Sequence, residues 1–349
     1  MRIFRIFVAF MLVIAGVVST VGSGGGGGGG GFDGGLNFDG LDGCCLSSIP
    51  PQPNVDITID NTQDVSATVV QAIGQLFDVM AKISGQIFPS PPAAPDLLSS
   101  NSKFDFFETV QTSKEPVIAT CAVIGNVYIW GRTTNDPVSL SEGDVFDLMF
   151  NSCDDGDNYI LDGNFTLLVN VLEGDPRSDL VRLAYEVFAM ELTVTSGMDT
   201  YVASASQPLF LLGWDSLPFP EIILIASTRG LVLRSQADTY SWSDFIQPEK
   251  HSLTVNADTS IPATLAKASE SLIESAALEG RVAYVIAVPL QAPDGQDPES
   301  GEIMITGGVG NGTIRIVIES NTSVRLEIDA DGDGTVDDYQ YTTWVVLRG

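Results

Sequence analysis

Positive charge is scarce in this chain. Its 349 residues carry 16 Lys and Arg against 45 Asp and Glu, a formal charge of −29. A nucleic acid, whose phosphates are held chiefly by Lys and Arg, is therefore excluded as a partner, and an anionic membrane surface is disfavoured for the same reason. Histidine is scarcer still, with His251 as the single example. Any Ser-His-Asp or Cys-His arrangement would have to use it, yet it stands in a polar stretch before an expected strand, and no GxSxG elbow supplies a nucleophile. HExxH, Walker A and a GxGxxG after a strand are missing as well. Ser100-Asn-Ser-Lys103 matches SxxK but sits in a linker without an accompanying KTG. With 45 acidic residues, no carboxylate pair stands out as a hydrolytic centre. The expectation is a protein without enzymatic activity.

Long apolar runs are also missing. The run Ile6 to Val18 has 13 residues, short of the roughly 17 to 25 that an ordinary spanning helix needs. It follows Arg2 and Arg5 and precedes the small or polar stretch Ser19 to Ser23, which is the order of regions in a secretory signal peptide covering residues 1–22. The later apolar stretch Leu209 to Ala226 is broken by Asp215, Pro218, Pro220 and Glu221 and reads as two strands around a turn. No transmembrane segment is expected in the mature chain. The protein is expected to be exported, to the periplasm or the extracellular space, with the cell surface as a further location.

Eight consecutive glycines, Gly24 to Gly31, open a Gly/Asp-rich linker over residues 23–53 that has too few side chains to build a core. Thr20-Val21-Gly22-Ser23 looks like a lipobox with Ser in place of the lipid-bearing Cys. Serine cannot take the thioether lipid, and an ordinary small-residue cleavage site is the alternative.

Cysteines number four. Cys121 and Cys153 each lie at the edge of a strand-like run, with enough β structure between them to bring them back together in an oxidising compartment. They are the expected disulfide. Adjacent Cys44 and Cys45 fall in the flexible tail, lack CxxC spacing, and are open to a second bridge, free thiols or interchain pairing.

One segment has helical periodicity. Val65, Val69, Ile73, Leu76, Met80, Ile83 and Ile87 follow steps of four or three, which draws an apolar stripe along one face, with Asp64 as the expected N-cap and Pro89 at the exit. Such a stripe can contact a partner or lipid, but covering one face of a sheet is the commoner use. Residues 54–103 are read as this helical segment plus a Pro/Ser linker. From residue 104 to 349 the pattern turns to short alternating or apolar runs separated by Gly, Asp, Asn and Pro, which marks antiparallel strands. The fold expected is mainly β, a long antiparallel meander forming a sandwich or partly closed barrel, with one packed amphipathic helix. A single β-rich domain is favoured, with a possible subdivision near 260–280, where Pro262 to Glu279 reads as a second short helix or a strand. Tyr339 to Leu347 reads as the last strand.

The clearest chemistry lies in Asp329-Ala-Asp331-Gly-Asp333-Gly334-Thr335-Val-Asp337-Asp338. Its alternate oxygens have the spacing of the first nine positions of an EF-hand loop. A hard cation such as Ca²⁺ takes six to eight oxygen ligands, and a Gly at position six allows the sharp turn that lets the carboxylates converge. The flanks, Val324-Arg-Leu326-Glu-Ile328 and Tyr339-Gln-Tyr341, alternate like strands, so the loop should cap a β-hairpin. Asp329, Asp331 and Asp333 would supply side-chain oxygens, Thr335 a carbonyl, and Asp337 a ligand directly or through water. Position twelve is Gln340 where an EF-hand has a bidentate Glu, so the expected site is weak. The competing reading is an acidic turn that uses Asp and Gly for geometry alone. A second cluster, Asp154-Asp155-Gly156-Asp157-Asn158, lacks the alternation and reads as a hairpin turn, and Asp162-Gly163 as a turn or bulge. Asn164, Asn311 and Asn321 head glycosylation sequons that short patterns produce by chance.

The signal with its glycine run, Leu140-Ser-Glu-Gly143-Asp144, Asn151-Ser-Cys153-Asp154, Pro298-Glu-Ser-Gly301-Glu302 and the Asp329 hairpin ending in Thr342-Thr343-Trp344 together resemble an uncharacterised group of exported bacterial proteins, often lipoproteins. That resemblance implies a β-rich envelope protein, and Ser23 departs from its lipid-bearing Cys. The expected role is an exported acidic binding or structural protein with a weak structural Ca²⁺ site. Carriage of apolar ligands such as lipids in a curled-sheet cavity is the alternative, and an unrecognised hydrolase the third.

Overall fold

A computed structural model describes residues 54–87, 116–121, 123–132, 141–154, 159–174, 181–196, 199–204, 210–215, 221–227, 232–234, 239–242, 250–256, 262–267, 270–293, 296–308 and 312–348. The signal segment, the glycine run, Cys44, Cys45, Pro89, Ser100 to Lys103, Asn311 and residues 155–158 lie outside them.

The described chain is mainly β. One long helix, α1 (Thr62–Ile87), precedes the strands β1 (Val117–Thr120), β2 (Ile124–Arg132), β3 (Val145–Asp154), β4 (Ile160–Gly174), β5 (Val181–Ser196), β6 (Asp199–Ser204), β7 (Phe210–Asp215), β8 (Glu221–Ser227) and β9 (Val232–Arg234). These are followed by β10 (Thr239–Trp242), β11 (Lys250–Asn256), β12 (Ala263–Lys267), β13 (Ser271–Ser275), β14 (Gly280–Ala292), β15 (Ser300–Thr306), β16 (Thr313–Ile318), β17 (Val324–Asp329) and β18 (Asp338–Thr342), and by a short helix α2 (Trp344–Arg348). Every strand-to-strand ladder is antiparallel.

The expected meander holds at both ends, where β1 to β6 and β13 to β18 each pair with their chain neighbours. Between them the strands interleave. Strand β5 is long enough to give half of one edge to β7 (Arg182 to Val187) and half to β6 (Leu192 to Ser196). Strand β14 divides its edge between β13 and β12 in the same way. Two branches connect these forks, β6-β9-β10-β13 and β7-β8-β11-β12. The result is two antiparallel layers of the β-sandwich kind, and the assembly stays open because β1 and β18 each pair on one side alone among the described residues.

Alternation sets which face is buried. Ile303 and Ile305, Ile314, Ile316 and Ile318, and Val324, Leu326 and Ile328 all point inward from β15, β16 and β17. Val65, Val69, Ile73 and Leu76 of α1 join them in one continuous buried cluster. Each such side chain contributes about 1.5–3 kcal/mol on leaving water. The described part of the apolar stripe is therefore buried against the short closing helix Trp344–Arg348 as well as against sheet, and the side chains of Met80, Ile83 and Ile87 lie outside the described set.

Four boundaries differ from expectation. The helix begins at Thr62, two residues before Asp64; Asn61 accepts the Thr58 N–H at 2.9 Å, and Asp64 stands in the first turn, where its charge suits the helix N-terminus. Pro262 to Glu279 holds no helix among the described residues and takes the strand alternative, because β12 and β13 find partners in β14 and the run ends in a turn. The final strand stops at Thr342, and Trp344 to Arg348 turn into α2, which buries Trp344 and Leu347. His251 lies inside β11, in register between Ala226 and Lys267.

Candidate metal centre in the last hairpin

Strands β17 and β18 pair from Val324 opposite Thr342 to Ile328 opposite Asp338, so residues 330–337 form the connecting loop. Its geometry is dictated by carboxylates that accept from nearby backbone. Asp329 is buried at 8 % exposure, and its two oxygens accept the N–H groups of Gly332 at 2.8 Å and Gly334 at 2.9 Å. Asp331 accepts from the Asp333 N–H at 3.1 Å, and Asp333 from the Thr335 N–H at 2.7 Å. Gly332 and Gly334 have φ of +74° and +86°. A Cβ on Gly334 would meet nothing within 4 Å, so glycine is required there by backbone conformation and not by space.

These turns bring one oxygen from each of Asp329, Asp331 and Asp333 to within 4.8 Å of one another. Three carboxylates this close repel, and a cation at their centre turns the repulsion into attraction. The group can therefore hold a metal ion. Asp331 and Asp333 are exposed, which leaves an approach from solvent. Asp337 is placed differently: its Oδ2 accepts the Ala330 N–H at 2.8 Å and its own N–H donates to the Ile328 carbonyl at 2.7 Å, which closes the neck of the loop. Thr335 is exposed on the rim.

Gln340 does not face the carboxylates as an EF-hand's twelfth residue would. Its Nε2 donates to the carbonyl oxygen of Ile59 at 2.9 Å, which ties β18 to the segment leading into α1. That segment runs under the loop's base. Ile57 is buried, and a Cβ on Gly312 would lie 3.2 Å from the Ile57 Cβ and 2.9 Å from the Ala330 carbonyl oxygen. The approaches of Gln340 to Ile59 and of Gly312 to Ile57 are not visible in the sequence, since they join residues hundreds of positions apart.

Elsewhere, Cys121 and Cys153 form the expected disulfide, with Cα atoms 5.5 Å apart. Asp162 braces a bulge beside it, accepting the Ser152 N–H at 2.6 Å where Ser152 has φ of +50° and the β3–β4 register shifts. Asn164 is exposed in β4. No described helix is long and apolar enough to cross a membrane. No protein-family model matches the chain, and neither a curated protein nor a solved structure does.

Proposed function

We propose that this is an exported, acidic β-rich binding or structural protein whose last hairpin is clamped by a weakly held Ca²⁺. The observation that carries the reading is the convergence of the Asp329, Asp331 and Asp333 oxygens within 4.8 Å on a loop turned by glycine. Oxygen-only donors favour a hard cation, and an exposed rim that leaves room for further oxygen ligands suits Ca²⁺ better than the strict octahedron of Mg²⁺. Weakness follows from Gln340, whose side chain is engaged with Ile59 and offers no bidentate carboxylate. Affinity is expected in the range of about 10⁻⁴ to 10⁻³ M found for extracellular modules. The Cys121–Cys153 bridge is compatible with an oxidising compartment, where calcium reaches such levels.

Thermal unfolding with calcium against chelator tests the reading. Millimolar calcium is about one to ten times such a Kd, and there the ion adds about 0.4–1.4 kcal/mol of stability. The melting temperature is expected to rise with millimolar calcium in the native protein and to stay put in Asp331→Ala. A native protein indifferent to calcium would overturn the assignment.

A further inference from the structure

We propose that the free edge of β18 is a docking strand for an extended, cationic peptide segment of a partner protein. Strand β18 pairs with β17 and, among the described residues, with no strand on its other side. Exposed edges are usually blunted by Lys, Pro or a bulge. Asp338-Tyr-Gln-Tyr-Thr342 has none of these, and its pairing with β17 is regular from end to end. An incoming strand would find an unbroken row of backbone groups to extend, the mode of recognition by strand addition.

The side chains on this strand favour a partner over solvent. Tyr339 and Tyr341 share one face and are 53 % and 71 % exposed, and tyrosine supplies large contact area at little entropic cost. Arg325 from β17 lies 5.8 Å from the Tyr339 ring centroid and steadies it from the strand side.

Charge selects the partner's chemistry. Asp331, Asp333 and Asp337 are exposed at one end of the strand, and the chain as a whole carries −29. The cations nearby are already matched: Arg315 bridges Glu302 at 2.7 Å and Glu327 at 3.1 Å, while Arg325 contacts Glu319 at 3.0 Å and also Glu327. A segment alternating Lys or Arg with apolar residues would meet complementary charge. A second copy of this chain is disfavoured, because both copies would carry the same charge of −29 and repel. The inference stands without the calcium reading, since Asp337, Asp338 and the net charge are independent of any ion.

The test uses the full chain and a fluorescein-labelled synthetic peptide alternating Lys and Val, with a Glu-Val peptide as its counterpart, read by anisotropy at low and high salt in chelator and again in calcium. The Lys peptide is expected to bind, to weaken as salt rises, and to slow amide hydrogen exchange in residues 338–342. Tyr341→Lys places a repelling charge on an exposed position and should weaken binding about tenfold, with unchanged circular dichroism showing that the fold persists. The proposal is overturned by equal binding of the Glu peptide, by no binding in either buffer, or by binding without protection of β18. Loss in Asp331→Asn with none in Tyr341→Lys would mean attraction to the loop alone and would overturn it too, as would self-association of the chain through residues 338–342.

Discussion

Gln340 donates its side-chain N–H to the backbone carbonyl of Ile59 at 2.9 Å, joining residues 281 positions apart. One hydrogen bond thus couples the last hairpin to the segment that launches α1. A neutral bond of this kind is worth about 1 kcal/mol. Gln340→Ala is expected to lower stability by that amount, seen as a lower denaturant midpoint at constant slope. Gln340→Glu restores an EF-hand's twelfth residue on paper but places a carboxylate against the Ile59 carbonyl. It should be destabilising, and calorimetry should find no gain in calcium affinity; a tenfold gain would show that the side chain can turn into the loop.

Cys121 follows β1 and Cys153 belongs to β3, so the bridge spans the β2 strand between them over a separation of 32 residues. Closing a loop of that length restricts the unfolded chain by about 3–4 kcal/mol in the chain-entropy account. Both sulfur-bearing residues are buried. Replacing both with Ser is expected to lower the unfolding free energy by roughly this amount, whereas mild reductant should leave the folded protein unchanged. Thiol titration before and after denaturation checks the second point.

Gly125 has φ of +90°, and a Cβ there would lie 2.1 Å from the Ser152 carbonyl oxygen. Backbone is the obstacle, so no side-chain rotation relieves it. Gly125→Ala is expected to cost at least about 2 kcal/mol, through strain and the lost fit of the β2–β3 bulge. Equal thermal stability of the variant and native protein would contradict the register described here.

Asp297 pairs with Arg348 at 2.9 Å through Oδ2, while its Oδ1 is buried without a hydrogen-bond partner. Burial pushes its carboxyl above the ordinary carboxylate value, and Arg348 opposes without cancelling the effect. A carboxyl raised in the folded state holds its proton more tightly there, so its contribution is greatest below the ordinary value and is lost as pH climbs through the raised one. Asp297→Asn should remove this dependence. Chemical denaturation across the acid range is expected to show native stability falling with pH in that window relative to the variant.

The site was half legible in the sequence. Asp329, Asp331 and Asp333 announce themselves by spacing, and Gly334 by the turn that spacing requires, because both are local properties of a short loop. Gln340's engagement and the support from Ile57 and Gly312 were hidden, since sequence distance says nothing about which segment crosses the base of a hairpin. Asp337 has a role of the same hidden kind within ten residues: its carboxylate braces Ala330, a hydrogen bond that spacing does not reveal.

The sequence by itself determined the mainly β class, the inward faces of β15 to β17, the apolar stripe of α1 and the Cys121–Cys153 pair. Alternation with period two, periodicity of three to four and the cost of burying polar backbone all act along the chain and can be read from it. Tertiary structure alone decided that β5 and β14 fork between two partners each, that Ala263–Lys267 and Ser271–Ser275 take the strand alternative, and that Trp344 to Arg348 become helix. Those choices depend on which open edge or apolar face lies within reach once the rest has assembled. A short segment adopts whichever conformation buries its side chains there and satisfies its backbone, whatever its local preference.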